Sequence, residues 1–253
     1  MTNRTRLIAA NWKMNGDAEL VSTMSAALSK VLKESADVSV LICPPNTLLS
    51  SFSMQREFSL GGQNVNQHQQ GAFTGETSIS QLEAVGCDYV LLGHSERRVL
   101  FGEHDALIAE KFLAVATSGL VPLLCIGESL DDREKGDTEK VLKQQLDVVI
   151  ALTEAEHWQN AVIAYEPVWA IGTGKTATPE IAQSAHKFVR DYLATQSQTA
   201  SIASAIRILY GGSMKPSNAT QLLDQPDVDG GLVGGASLSP DSFVAIVSAA
   251  INF

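Results

Sequence analysis

Eight short apolar segments, each followed by a longer polar or amphipathic segment, constrain the fold of this chain more than any other feature. Short runs rich in β-branched residues are typical of buried strands. The predicted strands are 7–10, 38–43, 60–65, 89–93, 122–126, 162–165, 207–210 and 232–234. Strands that alternate with helices form a parallel sheet, since parallel neighbours need a long crossover connection.

Helical spacing of apolar residues fills several of the intervening segments. Residues 18–32 and 138–152 both place apolar side chains three and four positions apart. The sequence Thr178–Glu180 predicts a helix start, because it combines a capping hydroxyl, a proline and an acidic residue. Ser239–Asp241 gives the same signal for the last helix.

Two closures of such a sheet are possible, an open doubly wound sheet and a closed barrel. Eight strands in about 250 residues fit one barrel. No Pro/Gly/Ser-rich linker divides the sequence. We therefore predict an α/β fold, a (β/α)8 barrel that forms a single catalytic domain over residues 1–253.

Charge and composition exclude several classes of protein. The formal net charge is −10, which argues against a nucleic-acid partner, because a phosphate backbone requires a basic face. No apolar run approaches the ~20 residues of a membrane helix, and the N-terminal stretch lacks the features of a secretory signal. Cys43, Cys87 and Cys125 cannot all pair within the chain, and no two of them have zinc-ligand or redox-motif spacing. We expect a cytoplasmic protein with no membrane partner and no metal.

Polar and glycine-rich segments follow five of the predicted strands. They are 11–16, 94–98, 166–175, 211–213 and 234–237. Parallel α/β proteins build their sites at the carboxyl ends of strands. These five segments meet at one mouth only if the sheet closes into a barrel.

Glu166 directly follows the predicted strand 162–165, and Pro167 biases its backbone toward an extended conformation. A carboxylate that is held there and shielded from water is a stronger base for carbon acids. The alternative is a strand-end glutamate in a surface ion pair, which is the more common situation for an isolated residue.

The loop after Glu166 favours the first interpretation. An exposed loop has little reason to carry Trp169 and Ile171, whereas a lid that closes over a ligand would be apolar inside and offer glycine amides. The alternative is a loop that is packed permanently on its neighbours. The predicted lid comprises Pro167, Val168, Trp169, Ala170, Ile171, Gly172, Thr173, Gly174, Lys175, Thr176 and Ala177.

Three more polar residues lie at strand ends. His94 precedes a helix that we expect to begin near Ser95, with Ser95 as its cap. Because the positive end of that helix disfavours a cation, we predict that the His94 imidazole is neutral. Lys13 would provide the local positive charge that an acidic chain otherwise lacks, and Asn11 would point the same way. The alternatives are a histidine satisfied by local hydrogen bonds and a solvated lysine.

Two glycine pairs follow the last two strands, Gly211–Gly212 before Ser213 and Gly234–Gly235. Glycine lets backbone amides approach a ligand closely, and the loops after strands seven and eight of a barrel recurrently bind phosphate. Each pair alone is weak evidence, because tight turns also use glycine.

Seven segments, in order and spanning nearly the whole chain, resemble the triosephosphate isomerase family. The most specific is Ala-Tyr-Glu-Pro-Val-Trp-Ala-Ile-Gly-Thr-Gly-Lys at 164–175. The others are Asn-Trp-Lys-Met-Asn-Gly at 11–16 and the segments 71–76, 91–98, 125–128, 210–213 and 233–238.

The resemblance implies a TIM barrel that interconverts dihydroxyacetone phosphate and D-glyceraldehyde 3-phosphate through an enediolate. Glu166 would move the proton between carbons, and His94 would polarise the oxygens and shuttle a proton between them. Lys13 and Asn11 would stabilise the enediolate oxygen, with Glu96 as a supporting partner at the same site.

The resemblance also implies how the phosphate is held and what partners to expect. Backbone amides would bind the phosphate, and they belong to Gly172, Ser213, Gly234 and Gly235. No cofactor is implied. The expected assembly is a homodimer, in which a loop containing Phe73, Thr74, Gly75 and Glu76 inserts beside the neighbouring active site. The implied pathways are glycolysis, gluconeogenesis and the pentose phosphate pathway.

Two other functions fit part of the sequence. A barrel isomerase of a larger amino-sugar phosphate would share the glycine loops but would not need Lys13, His94 and Glu166 together. A catalytically silent phosphate-ligand binding protein would not need to retain Glu166 or Lys13. Solvent-hydrogen exchange into dihydroxyacetone phosphate discriminates an isomerase from a binder.

Overall fold

A computed structural model describes residues 4–33, 37–172 and 176–251. Eight parallel strands close into a barrel in chain order, with the last strand paired to the first. They are β1 (Arg6–Asn11), β2 (Val38–Cys43), β3 (Ser59–Gly62), β4 (Tyr89–Leu92), β5 (Val121–Ile126), β6 (Val162–Tyr165), β7 (Arg207–Tyr210) and β8 (Gly230–Val233). The predicted (β/α)8 barrel is confirmed, and the open doubly wound sheet is excluded.

Helices surround the barrel. The α-helices are α1 (Ala18–Leu32), α2 (Asn46–Leu49), α3 (Ile79–Ala84), α4 (Ser95–Phe101), α5 (Asp105–Ala116), α6 (Leu130–Glu134), α7 (Thr138–Leu152), α8 (Pro179–Thr195), α9 (Pro216–Leu223) and α10 (Pro240–Ile251). Short 3-10 helices cover Ala155–Trp158, Val168–Ala170 and Gly235–Leu238. Within the described ranges, none of the helices is both long and apolar enough to cross a membrane.

The core has two layers because successive side chains of a strand point to opposite faces. In β1, Leu7 and Ala9 belong to a cluster inside the barrel, while Ile8 and Ala10 pack against the helices outside. The other strands contribute to the inner cluster in the same way, with Leu41, Cys43, Leu91, Leu123, Cys125, Val162, Ala164, Leu209 and Leu232. Strands buried on both faces explain the continuous apolar runs of the sequence.

Most predicted boundaries agree with the structure. Strands β2, β6 and β7 and helices α1 and α7 have the predicted limits. Helix α8 begins at Pro179 after a Thr178 cap whose hydroxyl accepts the Ile181 N–H at 3.3 Å. The predicted third strand is wrong at its end, since β3 stops at Gly62. The side-chain amide of Gln63 instead donates to the Lys13 and Cys43 carbonyls, at 2.8 and 2.9 Å.

The last strand begins two residues earlier than predicted. β8 starts at Gly230, which has a φ of 147°, and a Cβ there would lie 1.9 Å from the carbonyl oxygen of Leu7. Only glycine fits this close approach, which closes β8 against β1. The sequence pattern misses this start because glycine carries no apolar side chain.

Candidate active site

The alternation of side chains places two predicted residues at the mouth of the barrel. Asn11 continues the inward-facing series of Leu7 and Ala9, and Glu166 continues that of Val162 and Ala164. Both series end at the carboxyl ends of their strands, where the inner core stops. The strand period therefore aims an amide and a carboxylate into the same space.

A cavity of about 720 Å³ occupies this mouth. The predicted residues that line it are Asn11, Lys13, His94, Glu166, Ile171, Gly172, Ser213, Gly234 and Gly235. Glu96 is not part of the lining, but its carboxylate forms an ion pair with the Lys13 ammonium. The structure thus brings together residues that are up to 224 positions apart in the chain, from Asn11 to Gly235.

The carboxylate of Glu166 is buried, with only 1% of the residue exposed. Its Oε2 accepts the backbone N–H of Ser95 at 2.8 Å. Its Oε1 lies 3.0 Å from His94 Nε2 but lacks a well-aligned hydrogen bond among the described residues. One oxygen is therefore anchored, while the other faces a titratable ring.

His94 is the N-cap of α4, and Nδ1 of its ring accepts the backbone N–H of Glu96 at 3.2 Å. The prediction that Ser95 caps this helix is wrong, because Ser95 is already helical and His94 supplies the acceptor. An acceptor at Nδ1 places the proton of a neutral ring on Nε2, on the side of Glu166.

Two opposing effects act on the His94 ring. Burial lowers the pKa of His94, whereas the carboxylates of Glu166 and Glu96 raise it, and the net shift of the His94 pKa is upward. The prediction of a neutral ring considered only the positive helix end, and the carboxylate acts against it. The Nδ1 hydrogen bond favours the neutral ring, and the contact with Glu166 favours the charged one.

Lys13 leaves the extended path of β1, with a φ of 53° in the left-handed region. Its backbone N–H donates to Asn11 Oδ1 at 3.0 Å, and its carbonyl accepts from Gln63. These two bonds hold a backbone conformation that is unfavourable for lysine. The turn directs the Lys13 ammonium to Glu96 at the cavity, so Glu96 both anchors the lysine and positions His94.

The glycine-rich segments line the same cavity. After β7, a Cβ on Gly211 would lie 2.9 Å from Cγ of Glu166. After β8, Gly235 begins a 3-10 helix at the cavity, and a Cβ on Gly235 would meet no atom within 4 Å. Free amides at the start of a helical turn suit an anion.

The segment after Glu166 packs against Glu128. Trp169 Nε1 donates to Glu128 Oε1 at 2.8 Å, and Tyr165 Oη donates to the same oxygen at 3.0 Å. The guanidinium of Arg133 lies 4.5 Å over the Trp169 ring. Of the predicted lid, Pro167 to Gly172, Thr176 and Ala177 are described, whereas Thr173, Gly174 and Lys175 lie outside the described residues.

The predicted dimer loop is exposed. Phe73 is 42% exposed and stacks on His68 at 4.5 Å, and Thr74, Gly75 and Glu76 are exposed beside it. This loop does not line the cavity of its own chain.

Sequence reasoning missed three residues that organise the site. The Ser95 amide holds Glu166, Gln63 supports the Lys13 turn, and Glu128 anchors Trp169. None stands out by residue type, and each acts through a contact between distant segments. The cavity lining also includes Lys215, which follows the glycine pair Gly211–Gly212.

Comparison with known proteins finds one family and relatives that share its name. A sequence profile of the triosephosphate isomerase family matches residues 6–250. A protein of Halorhodospira halophila named triosephosphate isomerase is 49% identical over 249 residues, with 98% of each chain covered. A protein of the same name from Hydrogenovibrio crunogenus is 50% identical, again with 98% of each chain covered. Another from Escherichia coli is 48% identical, covering 98% of this chain and 97% of its own.

Proposed function

The chain belongs to the triosephosphate isomerase family, and on this premise we propose that Glu166, His94 and Lys13 carry out its reaction. The protein is an aldose-ketose isomerase that interconverts dihydroxyacetone phosphate and D-glyceraldehyde 3-phosphate, a step of glycolysis. The observation that carries our assignment is the shared cavity, which Glu166, His94 and Lys13 all line.

Glu166 is the base that removes a proton from one carbon and returns it to the next. Its burial supports this role, because a carboxylate with few water contacts has little water to lose before it meets the substrate carbon. Oε1 supports it further, since it lacks a well-aligned hydrogen bond among the described residues. The Ser95 amide at Oε2 would limit the motion of the carboxylate.

His94 polarises the substrate oxygens and moves a proton between them through Nε2. A substrate bound between Glu166 and His94 would separate the pair, which now lies 3.0 Å apart. Separation removes the main contact that raises the pKa of His94, so the ring is neutral in the complex and can donate from Nε2. The amide at Nδ1 keeps this tautomer in place.

Lys13 and Asn11 stabilise the negative charge that develops on the enediolate oxygen. A cation and an amide that are already oriented need little reorganisation during the reaction. Lys13 is oriented by its left-handed backbone conformation and by its ion pair with Glu96. Asn11 is oriented by the alternation of side chains along β1, which directs it into the barrel. Glu96 tunes the position of Lys13 without lining the cavity itself.

The phosphate is held by backbone amides of Gly172, Ser213, Gly234 and Gly235. Amides suit this role in a chain of net charge −10, because they attract an anion without a large basic patch. The substrate would then contact both these amides and Glu166, which line the same cavity.

Residues 167–177 act as a lid that excludes water from the enediolate. The described part supports a loop with an apolar inner side, since Ala170 is fully buried and Ile171 lines the cavity. Water exclusion would protect the intermediate from loss of phosphate.

We also propose a cytoplasmic homodimer in which residues 1–253 form one catalytic domain. Several large apolar side chains are exposed in the single chain, among them Met14, Phe73, Leu100 and Phe101, and a dimer interface would cover such side chains. All three cysteines are unpaired, which suits a reducing compartment. Light scattering should give the mass of two chains, and the mass of one chain would contradict the dimer.

A coupled assay on the purified chain tests the assignment. We expect rapid isomerisation by the wild-type protein, and for Glu166→Gln a turnover lower by orders of magnitude with retained binding of phosphoglycolate, an enediolate mimic. The amide is isosteric with the carboxylate but cannot accept the proton. Undiminished turnover of Glu166→Gln would remove this residue from its role.

A further inference from the structure

A second lysine, Lys215, borders the cavity next to the proposed phosphate-binding loop. Its backbone N–H donates to Asn218 Oδ1 at 2.7 Å, and the Asn218 side chain also donates to the Ser213 carbonyl at 3.1 Å. These bonds fix the backbone of Lys215 at the start of α9 and tie it to the loop that carries Ser213. The side chain of Lys215 remains exposed.

Lys215 differs from Lys13 in its electrostatic surroundings. The Lys13 ammonium is paired with the Glu96 carboxylate, and Glu166 adds a further negative charge to the same cavity. Lys215 has no ion pair within the described ranges of the chain. Among the lining residues in those ranges, Lys13 and Lys215 are the two lysines, and arginine is absent. Lys215 therefore brings a positive charge to the cavity that no carboxylate among the described residues neutralises.

An anionic substrate needs such a charge. The whole chain carries a formal charge of −10, and a phosphate monoester carries about −2 near neutral pH. The distant charges repel the substrate during its approach, and a single unpaired cation at the cavity entrance attracts it within about one Debye length, ~8 Å at physiological salt.

We propose that Lys215 recruits the phosphate dianion into the cavity and faces the phosphate once the backbone amides hold it. This inference rests on the proposed function of those amides. The charge acts on encounter and binding, and it takes no part in the proton transfers by Glu166 and His94. It therefore affects kcat/KM and anion affinity, while kcat stays unchanged.

Lys215→Gln and Lys30→Gln form a matched pair for the test. Lys30 is an exposed lysine in the last turn of α1 and does not line the cavity, so both variants change the net charge by the same amount. The measurements are kcat and kcat/KM from about 0.02 to 0.5 M ionic strength, a range in which the Debye length shrinks severalfold. Calorimetric titration with inorganic phosphate gives a readout that does not depend on turnover.

At the lowest ionic strength we expect Lys215→Gln to lose about 3- to 10-fold in kcat/KM and in phosphate affinity, as for the loss of one steering charge. The difference from wild type should fade at high salt, Lys215→Arg should restore both quantities, and Lys30→Gln should resemble wild type. Equal behaviour of the two glutamine variants, or a loss of kcat/KM that persists at every ionic strength, would overturn the proposal. An inactive wild-type protein would instead refute the isomerase assignment, and the phosphate titration would still test Lys215.

Discussion

Gly211 connects the packing of the barrel to the position of the proposed base. A Cβ on this residue would lie 2.9 Å from Glu166 Cγ and 3.0 Å from the Tyr165 carbonyl oxygen. Non-bonded carbons rest at about 3.5–4.0 Å, so Gly211→Ala demands a shift of roughly 0.6 to 1 Å. The Tyr165 carbonyl is held by the Gly211 N–H at 2.7 Å, so the shift falls mainly on the Glu166 side chain.

The expected cost of this shift is larger for catalysis than for stability. A misplacement of about 1 Å in a reacting group lowers a rate by up to about 10²-fold, and we expect kcat of Gly211→Ala to fall about 10- to 100-fold. Overpacking by one methyl group costs about 1–3 kcal/mol of unfolding free energy, which leaves the protein folded.

The coupled assay and urea denaturation measure both quantities on the same preparation. Gly119→Ala is the matched control, because its Cβ would meet only the flexible Glu83 carboxylate, at 3.2 Å, before β5 and away from the cavity. Wild-type kcat in Gly211→Ala would refute the packing argument. A loss of activity in Gly211→Ala that equals the unfolded fraction of the protein would also refute it.

Two further predictions concern single charges. Lys13→Ala should weaken substrate binding and lower turnover together, by about 10²- to 10³-fold in kcat for the loss of one oriented donor, and steady-state kinetics with unchanged kcat and KM would defeat this. Burial lowers the pKa of His186 to about 4, so the neutral ring contributes stability that is complete above the unfolded pKa of about 6.5 and is lost as pH falls toward 4. Between pH 7 and 4 the wild type should therefore lose about 3 kcal/mol more unfolding free energy than His186→Gln, measured by urea denaturation, and equal losses would contradict this.

The fold could be predicted because the strands are buried on both faces. β2, β6 and β7 are apolar to their last residue, so pattern and structure share their limits. β8 could not be delimited in this way, because Gly230 is selected by its close approach to Leu7 and leaves no apolar signal. The end of β3 depends on Gln63, a side chain that replaces strand pairing with contacts to two other strands.

Site residues could be predicted where their position on a strand determines the direction of the side chain. Glu166 and Asn11 extend inward-facing series of strand residues, so strand period and strand end are enough to locate them. The state of His94 is different, because the group that raises its pKa is Glu166, which lies 72 positions later in the chain. Local helix-end reasoning could not include that carboxylate, and it also assigned the cap to Ser95 in place of His94.

The proposed mechanism depends most on one carboxylate, Glu166, transferring a proton at carbon inside the cavity. Its direct measurement is hydrogen exchange between deuterated water and dihydroxyacetone phosphate, followed by NMR for the wild-type protein and for Glu166→Gln at equal concentration. We predict that the wild type incorporates deuterium at the carbon that carries the hydroxyl and that Glu166→Gln shows exchange reduced by orders of magnitude. Exchange at the wild-type rate in Glu166→Gln would contradict this mechanism.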